Sequence, residues 1–525
     1  MLSLWEYCSL MQIIVNDYTE MKYYKRCLEQ INSKYSQDTE INKCNVIDIC
    51  DLCIETLVQD FTTLLDRYRN PQDIFQFIQL YSELATEKQR TEDMLILMQM
   101  CRYIFMLIPK LELSYGAASM IDIEKKDFSD LLYISKMIDT LAQQRAIQMM
   151  SKECIFQLER NEYAFALTYL DDSFANVHTL LKQAIQGKRL FQKHCFTSNL
   201  LRTFSNELYN AFGNVTDKLN DTIFNTQSTG ICIDNISFIE FKEILEGRIP
   251  ERIQLFRVIN VSKLFIEYPN NNFLQGLTFS SDNSDINAAI KKPYDINIRT
   301  RFRPIIEFHI DGITEYYIAP YMFQEATEEI CGNLLPFKEM PEEWSKTQEI
   351  INFSNSLFRQ HDKWLEELVR EILELKGFPY LRNKESINNI SLLKAISYIG
   401  SNCYSNCRVG EIDFVAMNIS KQTIYVIDAK HMKTRYHLQS FAADQSRFCK
   451  EKGYEDKLSF KVDWIEKHLS DIGKEFKCNC SSFSVQGLFV TETFVYYSMH
   501  SKFPIIPIAY LERYFNSNDK ICFLR

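Results

Sequence analysis

The residues of this 525-residue chain whose types and spacing could do chemistry lie in its last third. Gly410-Glu411-Ile412-Asp413 opens one apolar run, Lys421-Gln422 follows at a turn, and a second run from Ile424 ends in Asp428-Ala429-Lys430. Strand side chains alternate between faces, so Asp428 and Lys430 share one face while Ala429 points away. Two antiparallel strands joined across that turn can bring Asp413 beside Asp428. Carboxylates that close repel and raise a pKa unless a divalent cation lies between them. Hard oxygen ligands of this kind suit Mg²⁺ or Mn²⁺. The ammonium of Lys430 has a separate use, orienting water or neutralising charge that builds on a phosphate oxygen. An upstream helical carboxylate could complete the set, and in Trp364-Leu365-Glu366-Glu367 one of the two glutamates would have to face the sheet.

A helix and a set of strands must hold these residues in place. Phe353 to Lys376 is a long amphipathic helix closed by Gly377, with Pro379 just beyond. Strand-like runs cover 412–417, 423–429, 484–491 and 507–509, with helical patterns near 436–452 and 462–469. Strands alternating with helices predict an α/β domain of about 175 residues. Upstream, 305–309 and 313–318 are short apolar runs joined by Asp311-Gly312, a strong two-residue hairpin signal. A helix is expected over 322–335. Before residue 290 the apolar spacing of three and four predicts mostly helix, as in Leu57, Phe61, Leu64, Leu65 and Tyr68. The expected organisation is a helical region over 1–290, a hairpin-plus-helix connector over 291–345 and a catalytic-type domain over 346–525. The fold class expected is α+β, a large helical region followed by an α/β domain with a mixed central sheet.

The string GEID, a hairpin and an apolar strand ending in D-x-K resembles the core of the PD-(D/E)XK nuclease superfamily, the restriction-endonuclease-like fold. The resemblance covers about residues 353–510. It implies that Asp413 and Asp428 ligate Mg²⁺ or Mn²⁺, that Lys430 positions the attacking water, and that Glu366 supports the metal from the first helix, with Glu367 as fallback. Gln445, in Ala442-Ala443-Asp444-Gln445, falls on the helix expected after the second catalytic strand, where many members carry a Gln. The stretch 383–408 is longer than in compact members. The implied activity is that of a metal-dependent endonuclease acting on DNA in preference to RNA, an effector of prokaryotic restriction or anti-phage defence regulated by the helical region. Double-strand cutting ordinarily needs two such sites, which a homodimer would supply. A separate protein contacting the helical region is the other expected partner. A different class of function stands beside this one: a helical sensor or interaction scaffold carrying a non-cleaving, nuclease-like DNA-binding domain.

Plainer readings weigh against each motif. Asp428-Ala429-Lys430 alone is equally a solvated strand end with a surface ion pair, worth ~0–1 kcal/mol. His431 and His437 read as local surface residues, since the site needs no histidine. Cys403, Cys407, Cys478 and Cys480 lack the commonest zinc-finger spacing, and Cys44, Cys50, Cys53 and the His194-Cys195 pair lack a full ligand set. Trp364 and Trp464 read as packing residues.

Composition sets the outer limits. The chain is 46% hydrophobic and 24% charged, which excludes wholesale disorder. Its 14 Gly and 12 Pro are too few for a turn-rich β-sandwich. The most apolar run, Met94 to Ile108, is interrupted by Gln99 and Arg102 and falls short of a bilayer span, so no membrane association is expected. No basic leader follows Met1, so we expect a cytoplasmic chain with reduced thiols. The net charge of −10 argues against a wholly basic nucleic-acid binder, but it divides unevenly. Residues 351–525 carry 16 Lys and 8 Arg against 8 Asp and 12 Glu, a net +4, which leaves −14 on the first 350. The D-x-K motif sits in the mildly basic part.

Overall fold

The computed structural model describes residues 17–36, 41–86, 92–119, 125–150, 153–170, 198–224, 257–291, 295, 297–392, 409–433, 444–445, 447–495, 497 and 501–516. His194, Cys195, Cys403, Cys407, His437 and most of the helix expected over 436–452 lie outside them. The described residues divide at 355/356 into two compact units.

The first unit opens with five long helices, α1 (Asp17–Lys34), α2 (Lys43–Leu65), α3 (Pro71–Thr86), α4 (Glu92–Leu107) and α5 (Lys125–Met150). The three-and-four spacing does bury a stripe, with Leu57, Phe61 and Leu65 of α2 all inside. Strands interrupt the helical reading: β1 (Glu112–Leu113), the hairpin β2 (Phe156–Arg160) and β3 (Phe165–Tyr169), β4 (Ile259–Asn260) and β5 (Thr278–Phe279). Most of these are two residues long, too short to leave a period-two signal. Helices α6 (Ser198–Phe212) and α7 (Val215–Phe224) lie between the hairpin and β4.

β6 (Ile305–Ile310) and β7 (Ile313–Ile318) form the expected hairpin, and Asp311 and Gly312 take φ of 50° and 76° as a two-residue turn of this hand requires. The hairpin is no free-standing connector. It joins a sheet of order β1-β6-β7-β4, with β5 also on β6, inside the first unit. The helix expected over 322–335 is α8 (Pro320–Glu329), which widens into a π turn over Ile330–Leu334.

The unit boundary falls inside α9 (Gln348–Leu375), which starts five residues earlier than expected. It ends with the Gly377 N–H donating to Glu374 O and the Phe378 N–H to Leu373 O. The second unit continues with β8 (Tyr380–Lys384), a small hairpin of β9 (Ser386–Ile387) and β10 (Ile390–Ser391), β11 (Ile412–Asn418), β12 (Thr423–Lys430), α10 (Tyr454–Lys467), α11 (Leu469–Phe476), β13 (Ser484–Thr491), β14 (Ile505–Pro507) and α12 (Ile508–Asn516). The strand expected at 507–509 is thus shifted. Ile508, Leu511, Tyr514 and Phe515 are buried at helical spacing, and Pro507 ends an edge strand, where a missing N–H costs least.

The main sheet has order β14-β13-β12-β11-β8 and is mixed. The β8–β11 and β11–β12 pairs are antiparallel, whereas the β12–β13 and β13–β14 pairs are parallel. Strand alternation gives it two apolar faces. Val415, Met417, Ile424 and Val426 pack with Leu458, Val462 and Ile465 of α10. Phe414, Ala416, Tyr425 and Ile427 pack with Leu365, Val369 and Leu373 of α9 and with Leu511 of α12. The second unit is therefore a three-layer stack of helix, sheet and helix.

Gly487, in the middle of β13, lets α10 lie close. A Cβ there would meet Val462 Cγ2 at 2.8 Å and the Phe503 ring at 2.7 Å. Gly487→Val should destabilise the chain by about 1–3 kcal/mol through overpacking, read as a lowered thermal midpoint, and Gly487→Ala by less.

Candidate active site

The register of β11 on β12 decides what happens to the two aspartates. Phe414 pairs with Ile427, and one further step along the same ladder sets Asp413 opposite Asp428. The turn that fixes this register carries Gln422 at φ 50°, with the Asn418 side chain accepting from the Lys421 N–H. At the other end, Gly410 takes φ 78° as the chain enters β11, a conformation that suits glycine. By alternation both carboxylates project from the α10 face, with Val415 and Val426.

Asp428 is fully buried, and two ammonium groups share it. Lys430 Nζ lies 2.8 Å from Oδ2, and Lys461 Nζ of α10 lies 2.7 Å from Oδ1. Asp413 Oδ2 accepts the Ala429 backbone N–H at 2.7 Å. Burial would raise Asp428, but Lys430 and Lys461 outweigh it and hold this carboxylate well below the usual range. Asp413 goes the other way. Burial, and then the charge of Asp428, push it up to about 7, only partly offset by the lysines. Lys430 is half-buried, which favours its neutral form, yet Asp428 and Asp413 keep it more strongly protonated than usual. Its ammonium also lies 5.3 Å from the centroid of the Tyr454 ring.

The other two expected site residues are placed differently. Glu366 belongs to α9, which packs on the opposite face of the sheet. Its Oε2 accepts from Arg382 Nη2 at 3.0 Å and Asn383 Nδ2 at 3.1 Å, both on β8. Glu367 pairs with Arg382 and with Arg370. Among the described residues, no hydrogen bond or ion pair joins Glu366, Glu367 or Gln445 to Asp413, Asp428 or Lys430. Gln445 is half-buried on a helical turn.

No family model, curated protein or solved structure matches the chain. The site must therefore be read from its own chemistry.

Lys461 is the residue that sequence reasoning missed on the α10 face. It lies within the buried stripe Leu458, Val462, Ile465, and a lysine in an apolar helical stripe was the available signal. On the α9 face a second group was missed. His431 follows Lys430 out of β12, and Glu492 follows Thr491 out of the neighbouring parallel strand, whose register pairs Lys430 with Thr491. The His431 ring bonds to Glu492 Oε1, and His361 Nδ1 of α9 is 3.8 Å from the same oxygen. His431 is buried rather than at the surface, its side chain 3% exposed. Burial would raise Glu492, but the two histidines hold it below its ordinary value. Asp362, next to His361, is raised by burial and by Glu492 and Glu366, with His431 and Lys430 opposing.

Two hard carboxylates facing each other, one of them raised by the other's charge, fit a divalent cation, which would relieve that repulsion. A cation there would share Asp428 with at least one ammonium. In its absence, the raised Asp413 carries a sign that can be tested. Its pKa rises from 3.8 unfolded to about 7 folded, so between those values the folded chain binds more protons. The stability that Asp413 contributes is present below pH 3.8 and is lost as the pH climbs through about 7. Metal-free protein should show the wild-type melting temperature falling relative to Asp413→Asn over that window, with no further relative change above it. Melts recorded across the range by circular dichroism check this.

Proposed function

We propose that the second unit is a metal-dependent phosphodiesterase of the PD-(D/E)XK type, cutting DNA in preference to RNA. The observation that carries this reading is the close placing of Asp413 and Asp428 just beyond the Phe414–Ile427 pair of one strand ladder, with Lys430 Nζ 2.8 Å from Asp428 on the same face. The mixed five-stranded sheet, layered between helices, supports it as an architecture.

Asp413 and Asp428 would hold Mg²⁺ or Mn²⁺, which supplies Lewis-acid assistance to water and to the phosphate. The remaining work falls to the chain's own groups. Lys430 would donate to the attacking water or to a phosphate oxygen, offsetting the charge that builds as the water oxygen bonds to phosphorus and the leaving sugar oxygen departs. Lys461 keeps one oxygen of Asp428 occupied, which fixes the orientation of that carboxylate. Glu366 has no direct part in this scheme, because Arg382 and Asn383 engage it. The net +4 of residues 351–525 suits a polyanionic substrate, and the −14 of the first 350 residues is where we place regulation. No helix among the described residues is long and apolar enough to cross a membrane.

One observation favours a second reading, in which the domain binds DNA without cutting it inside a sensor scaffold. Both oxygens of Asp428 are already ion-paired. Nicking of supercoiled DNA with Mg²⁺ or Mn²⁺ separates the two. Cleavage by wild type should fall by about 10²–10³-fold in Lys430→Met and in Asp428→Asn. Cleavage surviving equally in both variants overturns the assignment. DNA binding without cleavage, together with calorimetry showing no Asp413-dependent uptake of Mg²⁺, supports the scaffold.

A further inference from the structure

The sheet separates two kinds of donor. On the α10 face, among the described residues, the ends of β11 and β12 present the oxygen and ammonium groups of Asp413, Asp428 and Lys430. On the α9 face, the exits of the parallel strands β12 and β13 present His431 and Glu492, and α9 adds His361. One ligand-capable atom from each of these three residues lies within 4.8 Å of the other two. Bonds of about 2.0–2.2 Å to zinc hold tetrahedral neighbours roughly 3.3–3.5 Å apart. To reach that spacing the 3.8 Å between His361 Nδ1 and Glu492 Oε1 closes slightly, and the direct His431–Glu492 hydrogen bond opens. His361 and Glu492 are 4% and 5% exposed, so neither is a surface residue that happens to lie nearby.

We propose that His361, His431 and Glu492 bind a borderline-soft divalent transition ion, with zinc as its representative, at a site separate from the Asp413–Asp428 pair. Two imidazoles and one carboxylate form a donor set that suits zinc and related ions rather than magnesium. Three protein ligands leave a fourth position for water or an exchangeable ligand. Asp362 follows His361 on the same helix and adds a further carboxylate beside the cluster. The site also lies at the carboxyl ends of parallel strands, where open α/β sheets commonly bind ligands. The ion ties α9 to the residue that follows Lys430, so it positions the end of β12 without touching the carboxylate pair.

The assignment does not rest on nuclease activity, and its test uses none. The full chain, stripped with chelator and reloaded with Zn²⁺, should retain about one equivalent after gel filtration, as a three-ligand protein site does. His361→Ala and His431→Ala should each weaken that uptake by at least ten-fold, as loss of a ligand must. His468→Ala, a histidine stacked on Trp464 elsewhere in the unit, should leave it unchanged. Zn²⁺ should raise the thermal midpoint of wild type but not of the two ligand variants, and excess Mg²⁺ should not displace it. Zinc retained equally by wild type and both ligand variants overturns the proposal, because the cysteines of the chain would then account for it. Failure of folded wild type to retain zinc overturns it as well. Should either variant fail to fold, Co²⁺-loaded wild type decides: a visible spectrum with nitrogen and oxygen ligation supports the site, and thiolate charge-transfer bands or no spectrum overturn it. Magnesium uptake that depends on Asp413 is a separate measurement, so either site can fail alone.

Discussion

Asp428 is a charge at the end of a strand whose preceding five residues are all buried, and the second unit is organised around making that tolerable. Taking an isolated carboxylate out of water costs several kcal/mol, and only close, well-formed partners recover it. One partner, Lys430, comes from the same strand and is on the same face by alternation. The other, Lys461, comes from α10, so the docking of that helix is set by an ion pair as well as by Leu458, Val462 and Ile465. The same constraint fixes the strand register. A slip of one residue would turn Asp413 to the α9 face and bring Phe414 to face Asp428, stranding both a charge and an aromatic ring.

Alternation has a second consequence. Lys430 and His431 are neighbours in sequence, yet they serve opposite faces. The turn of the chain between them sends the Lys430 ammonium to one side and the His431 imidazole to the other. Thr491 and Glu492 repeat the division on the next strand, because β12 and β13 run parallel and in register. Had that pair been antiparallel, the exit of β13 would lie at the opposite end of the sheet, and Glu492 could not reach His431.

What was legible in the sequence follows from how local each signal is. The Asp311-Gly312 hairpin, the closure of α9 at Gly377 and the β11–β12 pair each depend on a few neighbouring residues, and all three are present. The adjacency of Asp413 and Asp428 was legible for the same reason, since a short turn fixes the register. Strand β8, the short strands β1, β4 and β5, and the boundary between β14 and α12 were not, because tertiary pairing creates them where propensity is weak. The contacts of Lys461, His361 and Glu492 depend on which segments become neighbours across 33 to 131 residues of chain, and no local pattern encodes that. The placement of Glu366 failed for a related reason. Periodicity identified the helix and its buried stripe, but only the packed structure shows which face of the sheet that stripe covers.

The charge count of the α10-face cluster sets what it can accept. With Asp413 and Asp428 both ionised, Lys430 and Lys461 bring the sum to zero. With Asp413 protonated the sum is +1, a state populated near neutral pH because burial and Asp428 raise that carboxyl. The +1 state attracts a phosphate group and resists a metal cation, whereas the neutral state opposes neither. A cation held by both carboxylates would have to displace the proton of Asp413, and its charge would then replace what a phosphate would otherwise meet. A single lysine would have left the ionised site at −1, open to cations and repellent to phosphate without one. The second lysine would make the two kinds of occupancy interdependent, and a buried residue outside the D-x-K motif would then bear directly on when such a site fills.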